Sequence, residues 1–142
     1  MIIAQISDSH ISGGASDERA AQLERAVAHI LRLPARPDVV LVTGDCTDDG
    51  SPAAYHRFRE LLARLPMPAN VIPGNHDDRA QLLAAFGAQG DAPLAGYAQY
   101  VVDTWPVRLI ALDTHMPGAA SLAPSAWAGW PSAWPRRLRA RR

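Results

Sequence analysis

The sequence predicts an α/β fold on a parallel sheet, and three observations carry that reading. Three short apolar runs, at residues 2–6, 39–43 and 69–72, each stop abruptly at polar residues. The stretches between them space their apolar residues for one face of a helix. Alternating strands and helices pair as parallel strands through right-handed crossovers, which puts all three strand ends on one edge of the sheet. In open α/β sheets that edge carries the ligand site.

Ile2, Ile3, Ala4 and Ile6 form a nearly continuous apolar run, as in a strand covered on both faces, and Asp8 and His10 fall at its end. Ser12 to Ser16 is loop chemistry, with Ser16 placed to cap a helix beginning at Asp17 and Glu18. Ala20, Leu23, Val27, Ile30 and Leu31 make its apolar stripe, while Arg19, Glu24, Arg25 and Arg32 make the polar face. The second strand, Val39 to Thr43, ends at Gly44 and Asp45. Ser51-Pro52 opens the next helix, with Pro at its first position; Tyr55, Phe58, Leu61, Leu62 and Leu65 are its buried stripe. The third strand, Ala69 to Ile72, leads into Gly74-Asn75-His76-Asp77-Asp78. A short helix over Arg79 to Phe86 closes at Gly87, and Tyr97 to Val102 and Val107 to Leu112 read as an antiparallel hairpin.

The chain has 142 residues, enough for one domain with a real core. Its formal charge is zero, but five of its 14 basic residues, all arginines, lie in 136–142, leaving residues 1–135 at −5. An acidic body argues against nucleic-acid binding. No apolar run approaches the roughly 20 residues that span a bilayer, so no membrane partner is expected. A single cysteine and the lack of a signal-peptide pattern at the N-terminus predict a cytoplasmic protein.

Asp8-x-His10 alone fits either a hydrogen-bonded pair or a pair of metal ligands. Asp48 and Asp49 read as turn chemistry, His29 and His56 as helix-surface or satisfied histidines, and Cys46 as a small buried residue rather than a nucleophile. His115 lies near a strand end, where its role stays open.

The ordered combination Asp-x-His, Gly-Asp and Gly-Asn-His-Asp, each after an apolar strand, resembles the calcineurin-like metallophosphoesterases. With Leu112-Asp113-Thr114 and Pro117-Gly118 it looks most like their bacterial class III cyclic-nucleotide phosphodiesterase branch. The resemblance covers residues 1–121 and implies the N-terminal half of a two-sheet sandwich with a βαβαβ start, the C-terminal half missing. It implies two divalent ions (Mn²⁺, Fe²⁺, Zn²⁺ or Co²⁺), with Asp8 and His10 on one, Asp45 bridging both and Asn75 on the second. His76 is implied as the catalytic contact to phosphate and leaving oxygen, and Asp77 or Asp48 as the partner that orients a histidine. The implied reaction is hydrolysis of a small phosphate ester, such as a cyclic nucleotide, by hydroxide generated at the ion pair.

The family pattern continues with a further histidine and a Gly-His-x-His element that this sequence lacks, so an inactive or feeble truncated chain is expected. The bare half-sandwich face suits a homo-oligomer. Pro124-Ser-Ala-Trp127 recurs as Pro131-Ser-Ala-Trp134, and a frame displaced by two bases can read Glu-Arg-Leu at both copies. Residues 122–142 are therefore read as a frameshift product. The rival reading is a non-catalytic phosphate-ligand or partner-binding module that uses this Trp- and Arg-rich tail for contact.

Overall fold

The computed structural model describes residues 1–14, 17–91, 93 and 95–115. The frameshift and tail-contact readings, the Pro117-Gly118 part of the family pattern and the proposed Ser16 cap lie outside those residues. Eight elements follow in the order β1 (Ile3–Ile6), α1 (Glu18–Leu31), β2 (Val39–Thr43), α2 (Pro52–Leu62), β3 (Ala69–Ile72), α3 (Arg79–Phe86), β4 (Tyr100–Val102) and β5 (Leu109–Ala111). The first three strands form a parallel sheet in the order β1-β2-β3, with Ile3 opposite Val39 and Val40 opposite Ala69. Sequential parallel strands place every strand-to-helix loop on one edge, as the alternation predicts.

Strand alternation sorts the sheet residues into two faces. Ala4, Ile6, Val40, Val42, Ala69 and Val71 pack with Leu23, Val27 and Ile30 of α1, Tyr55, Phe58 and Leu62 of α2, and Leu82 of α3 in one core. Phe58 meets Phe86 edge to face at 5.9 Å. Full burial of a side chain such as Phe58 or Leu82 contributes about 1.5–3 kcal/mol. The helices start as their sequences dictate. Ser51 Oγ accepts from Ala54 N with Pro52 at the first position, and α3 stops at Gly87, where φ is 68°. Asp17, rather than a helical residue, is the N-cap of α1: its carboxylate accepts from Arg19 N at 2.9 Å, and the helix begins one residue later than expected.

The opposite face is less covered. Here β4 and β5 pair antiparallel, Tyr100 opposite Ala111, and lie across Leu41, Asn70 and Ile72 with an apolar cavity of about 120 Å³ between. Each hairpin strand is shorter than the apolar run that predicts it. The expectation that β1 is covered on both faces is overturned: Ile3 is 43% exposed, because β1 is an edge strand whose second face lies beyond the hairpin among the described residues. Leu31, placed in the α1 stripe, is 42% exposed, since one step past Ile30 turns about 100° away from the sheet. No helix among the described residues is long and apolar enough to cross a membrane.

Candidate metal centre

The loops after β1 and β2 leave the sheet side by side and stay laced together. Asp8 N donates to Gly44 O at 3.2 Å, His10 N to Asp45 O at 2.8 Å and Ile11 N to Cys46 O at 3.1 Å. Among the described residues three non-glycine positions have left-handed backbone, and they are Asp8 (φ 56°), His10 (45°) and Asp45 (47°). Each such residue costs about 1–3 kcal/mol and persists only where its surroundings over-determine it. All three belong to the ligand set read from the sequence.

The loop after β3 reaches the same place because Gly74 lies against Asp45. A Cβ built on Gly74 would fall on the Asp45 carboxylate and backbone nitrogen, so only glycine lets the two strand ends touch. His76 N then donates to Asp45 Oδ1 at 3.1 Å. As a result His10, Asp45 and His76 converge, with one potential ligand atom from each within 4.8 Å of the others. The His10 and His76 rings meet edge to face with centroids 4.7 Å apart, and His10 Nε2 stands 3.6 Å from Asp45 Oδ2. That last separation exceeds a hydrogen bond, and His10 Nδ1 is buried without a hydrogen-bond partner among the described residues. Two imidazoles and a carboxylate turned toward one another without bonding are a donor set that fits a divalent cation. Asp8 and Asn75 are exposed on the flanking loops, and the Asp8 carboxylate is not part of the converging trio.

Asp48 is the acid beside the histidines. Its Oδ1 is 3.4 Å from His10 Nδ1 and 4.0 Å from His76 Nδ1, and its backbone carbonyl is 3.1 Å from His76 Nδ1. A carbonyl oxygen only accepts, so His76 carries a proton on Nδ1 and offers Nε2 to a ligand. The Arg19 guanidinium, bonded at 2.6 Å, holds the Asp48 carboxyl below the usual carboxylate range, aided by charge from Arg19 and the two histidines.

Asp77 does something the sequence reading missed. It orients no histidine; it is buried, and its oxygens accept from Cys46 N (3.0 Å), Thr47 N (3.1 Å), Gly74 N (2.8 Å), Thr47 Oγ1 (3.2 Å) and Tyr55 OH (2.8 Å). One carboxylate thus ties the loops after β2 and β3 to α2. Cys46 is buried beside it, as expected of a small buried residue, and burial with the Asp77 charge pushes its thiol far up. The sequence also left unread the pair of Arg79 with fully buried Asp113, bidentate at 2.6 and 3.0 Å, which fastens α3 to the end of β5.

The calcineurin-like phosphoesterase profile matches residues 1–120. The chain is 35% identical over 123 residues to a probable glycerophosphodiester phosphodiesterase of Arcobacter nitrofigilis, covering 83% of this chain and 45% of that protein. It is 36% identical over 124 residues to the 3′,5′-cyclic adenosine monophosphate phosphodiesterase of Pseudomonas aeruginosa, covering 84% and 43%. A probable cyclic nucleotide phosphodiesterase of Synechococcus is 38% identical over 118 residues, covering 81% and 44%. The chain spans less than half the length of these curated relatives, and the matched part is the one that carries the strand-end loops. On the profile match and these identities, the chain belongs to the calcineurin-like phosphoesterase family.

Proposed function

We propose that this chain carries the N-terminal part of a metal-dependent phosphodiesterase site for a small phosphate ester, a cyclic nucleotide being the preferred class. The observation that carries it is the convergence of His10, Asp45 and His76 on strained, mutually laced strand ends. In this reading Asp8, His10, Asp45 and Asn75 hold two divalent ions, drawn from Mn²⁺, Fe²⁺, Zn²⁺ and Co²⁺. When bound, such ions polarise a phosphoryl group and lower the pKa of water. Asp45, with two oxygens, is the residue suited to face both. His76, anchored through Nδ1 to the Asp48 carbonyl, presents Nε2 to the ester; when protonated there it gives its proton to the leaving oxygen. The names of the relatives include both glycerophosphodiesters and cyclic nucleotides, which share the phosphodiester centre and differ in the alcohol.

Four protein ligands for two ions leave both coordination shells short, so weak metal affinity and slow turnover are expected. The test is hydrolysis of bis-p-nitrophenyl phosphate by the full chain with Mn²⁺, beside Asp45→Asn, together with melting curves. Mn²⁺ at ten times Kd adds about 1.4 kcal/mol, a rise of about 4 °C for a chain of this size. Wild type should show that rise and turnover above background; Asp45→Asn should show neither. Identical behaviour of the two proteins would overturn the proposal.

A further inference from the structure

An open depression of about 630 Å³ adjoins the metal centre, and its wall includes Asn75, His76, Arg79 and His115. Its charged groups are largely committed elsewhere. Arg79 gives Nε and Nη2 to Asp113 and lies 4.8 Å over the Tyr97 ring, Asp49 accepts from Ser51 N, Asp78 caps α3 at Gln81 N, and Asp77 is the buried hub. With Asn75 assigned to a metal ion, what the wall offers an anion is its two imidazoles, alongside the positive charge of Arg79.

His115 is held for such a task. Its backbone N–H donates to Asp113 Oδ1 at 3.1 Å and its carbonyl accepts from Arg79, so the main chain is pinned while the ring has no bond of its own among the described residues. Nδ1 is buried without a partner among the described residues. An N–H there would be an unsatisfied buried donor, so the proton is assigned to Nε2 of a ring that lines the depression. His115 does not join the trio of His10, Asp45 and His76, which argues against a fourth ligand on the same ion. Resting on the phosphodiesterase reading above, we propose that His115 is a substrate contact: its Nε2–H donates to a phosphate oxygen of the ester whose leaving group meets His76.

The test needs no variant to begin. Imidazole ¹⁵N spectra of the full chain with Zn²⁺ are titrated with dimethyl phosphate, a phosphodiester probe. His115 and His76 should shift together, while His29 and His56 on the helices stay still. His115→Gln, whose main-chain bonds to Asp113 and Arg79 are unaffected, should raise KM for bis-p-nitrophenyl phosphate about tenfold with kcat changed less than about threefold, the mark of lost uniform binding. A shift at His76 without one at His115 would overturn this inference and leave the phosphodiesterase reading standing. A shift at His115 without Asp45-dependent turnover would support the contact and remove the hydrolysis. No shift at either histidine would sink both.

Discussion

The buried layer around Asp77 and the half-exposed cluster around Asp45 stand on the same two loops, yet they are built on opposite rules. Around Asp77 the carboxylate lone pairs are filled, by five donors from two loops and a helix. Around Asp45 one carboxylate oxygen accepts only the His76 backbone N–H, the other stands 3.6 Å from His10 Nε2, too far to bond, and the backbone is left-handed. The difference teaches where the site's rigidity comes from. Strain of about 1–3 kcal/mol at Asp45 sits between Cys46 and Gly74, which the closed layer fixes by hydrogen bonds, so the closed layer should matter most for stability and the open one, under the proposed function, for binding.

The strongest way to break the comparison is Asp77→Asn. The amide group must turn donors toward donors, whichever way it faces, and about 4 kcal/mol should be lost in urea unfolding. Asp45→Asn should leave stability within about 0.5 kcal/mol, because Asn tolerates the left-handed backbone at least as well. Equal losses in the two variants would mean the layers do not divide the work.

Gly74→Ala comes next. The new methyl meets Asp45 backbone as well as its side chain, so the loops after β2 and β3 must separate, at a cost of about 2–3 kcal/mol. The distinguishing sign is that Mn²⁺ should no longer raise the melting temperature, since the same displacement carries His76 away from Asp45. A variant that melts early but still responds to Mn²⁺ would show that backbone contact at Gly74 is not what assembles the cluster.

How legible this was in the sequence follows the same division. The strands, the Ser51-Pro52 start, the Gly87 stop and the stripe of α2 rest on local patterns, and they stand in the structure within a few residues. Asp45, His10 and His76 could be named because each ends an apolar run. Asp77 could not be separated from its neighbours, because its partners lie 22 to 31 residues away, apart from Gly74, and only the folded loops bring them in. Arg79 and Asp113 are hidden for the same reason, 34 residues apart. A signal existed in part: a carboxylate directly after the ligand-type histidine, on a strand end that must be buried, needs donors, and Tyr55 was already placed on the inner face of α2.

Tyr55→Phe sharpens the estimate of what one donor contributes to the closed layer. The hydroxyl gives its proton to Asp77 at 2.8 Å with the Asp78 carbonyl at 3.2 Å; burial, with the Asp77 charge adding to it, pushes the phenol well above its ordinary value. Four donors remain on Asp77, so the loss should be about 1–1.5 kcal/mol, with the Mn²⁺ response intact. A larger loss, or a lost metal response, would place α2 itself among the supports of the open cluster.

The smallest effect concerns the flank of the site, where Asp17 holds the loop that carries His10. Its Oδ2 accepts from Ser12 N at 2.8 Å and its Oδ1 from Arg19 N at 2.9 Å. Partial burial pushes its carboxyl up, but hydrogen bonds from Ser12, Arg19 and Ala20 outweigh that and leave it below the ordinary 3.8. A folded pKa below the unfolded one means the stabilisation is fully present above about pH 3.8 and disappears as pH falls through the lower, folded value. Asp48 titrates in the same window, through its bond to Arg19, so the contribution must be taken as a difference between proteins. Asp17→Ala should lose about 1 kcal/mol at pH 7, and its deficit against wild type should shrink toward pH 3. If the deficit is the same at both pH values, the cap acts through shape rather than charge, and the loop bearing His10 is held mainly by its backbone bonds to the β2 loop.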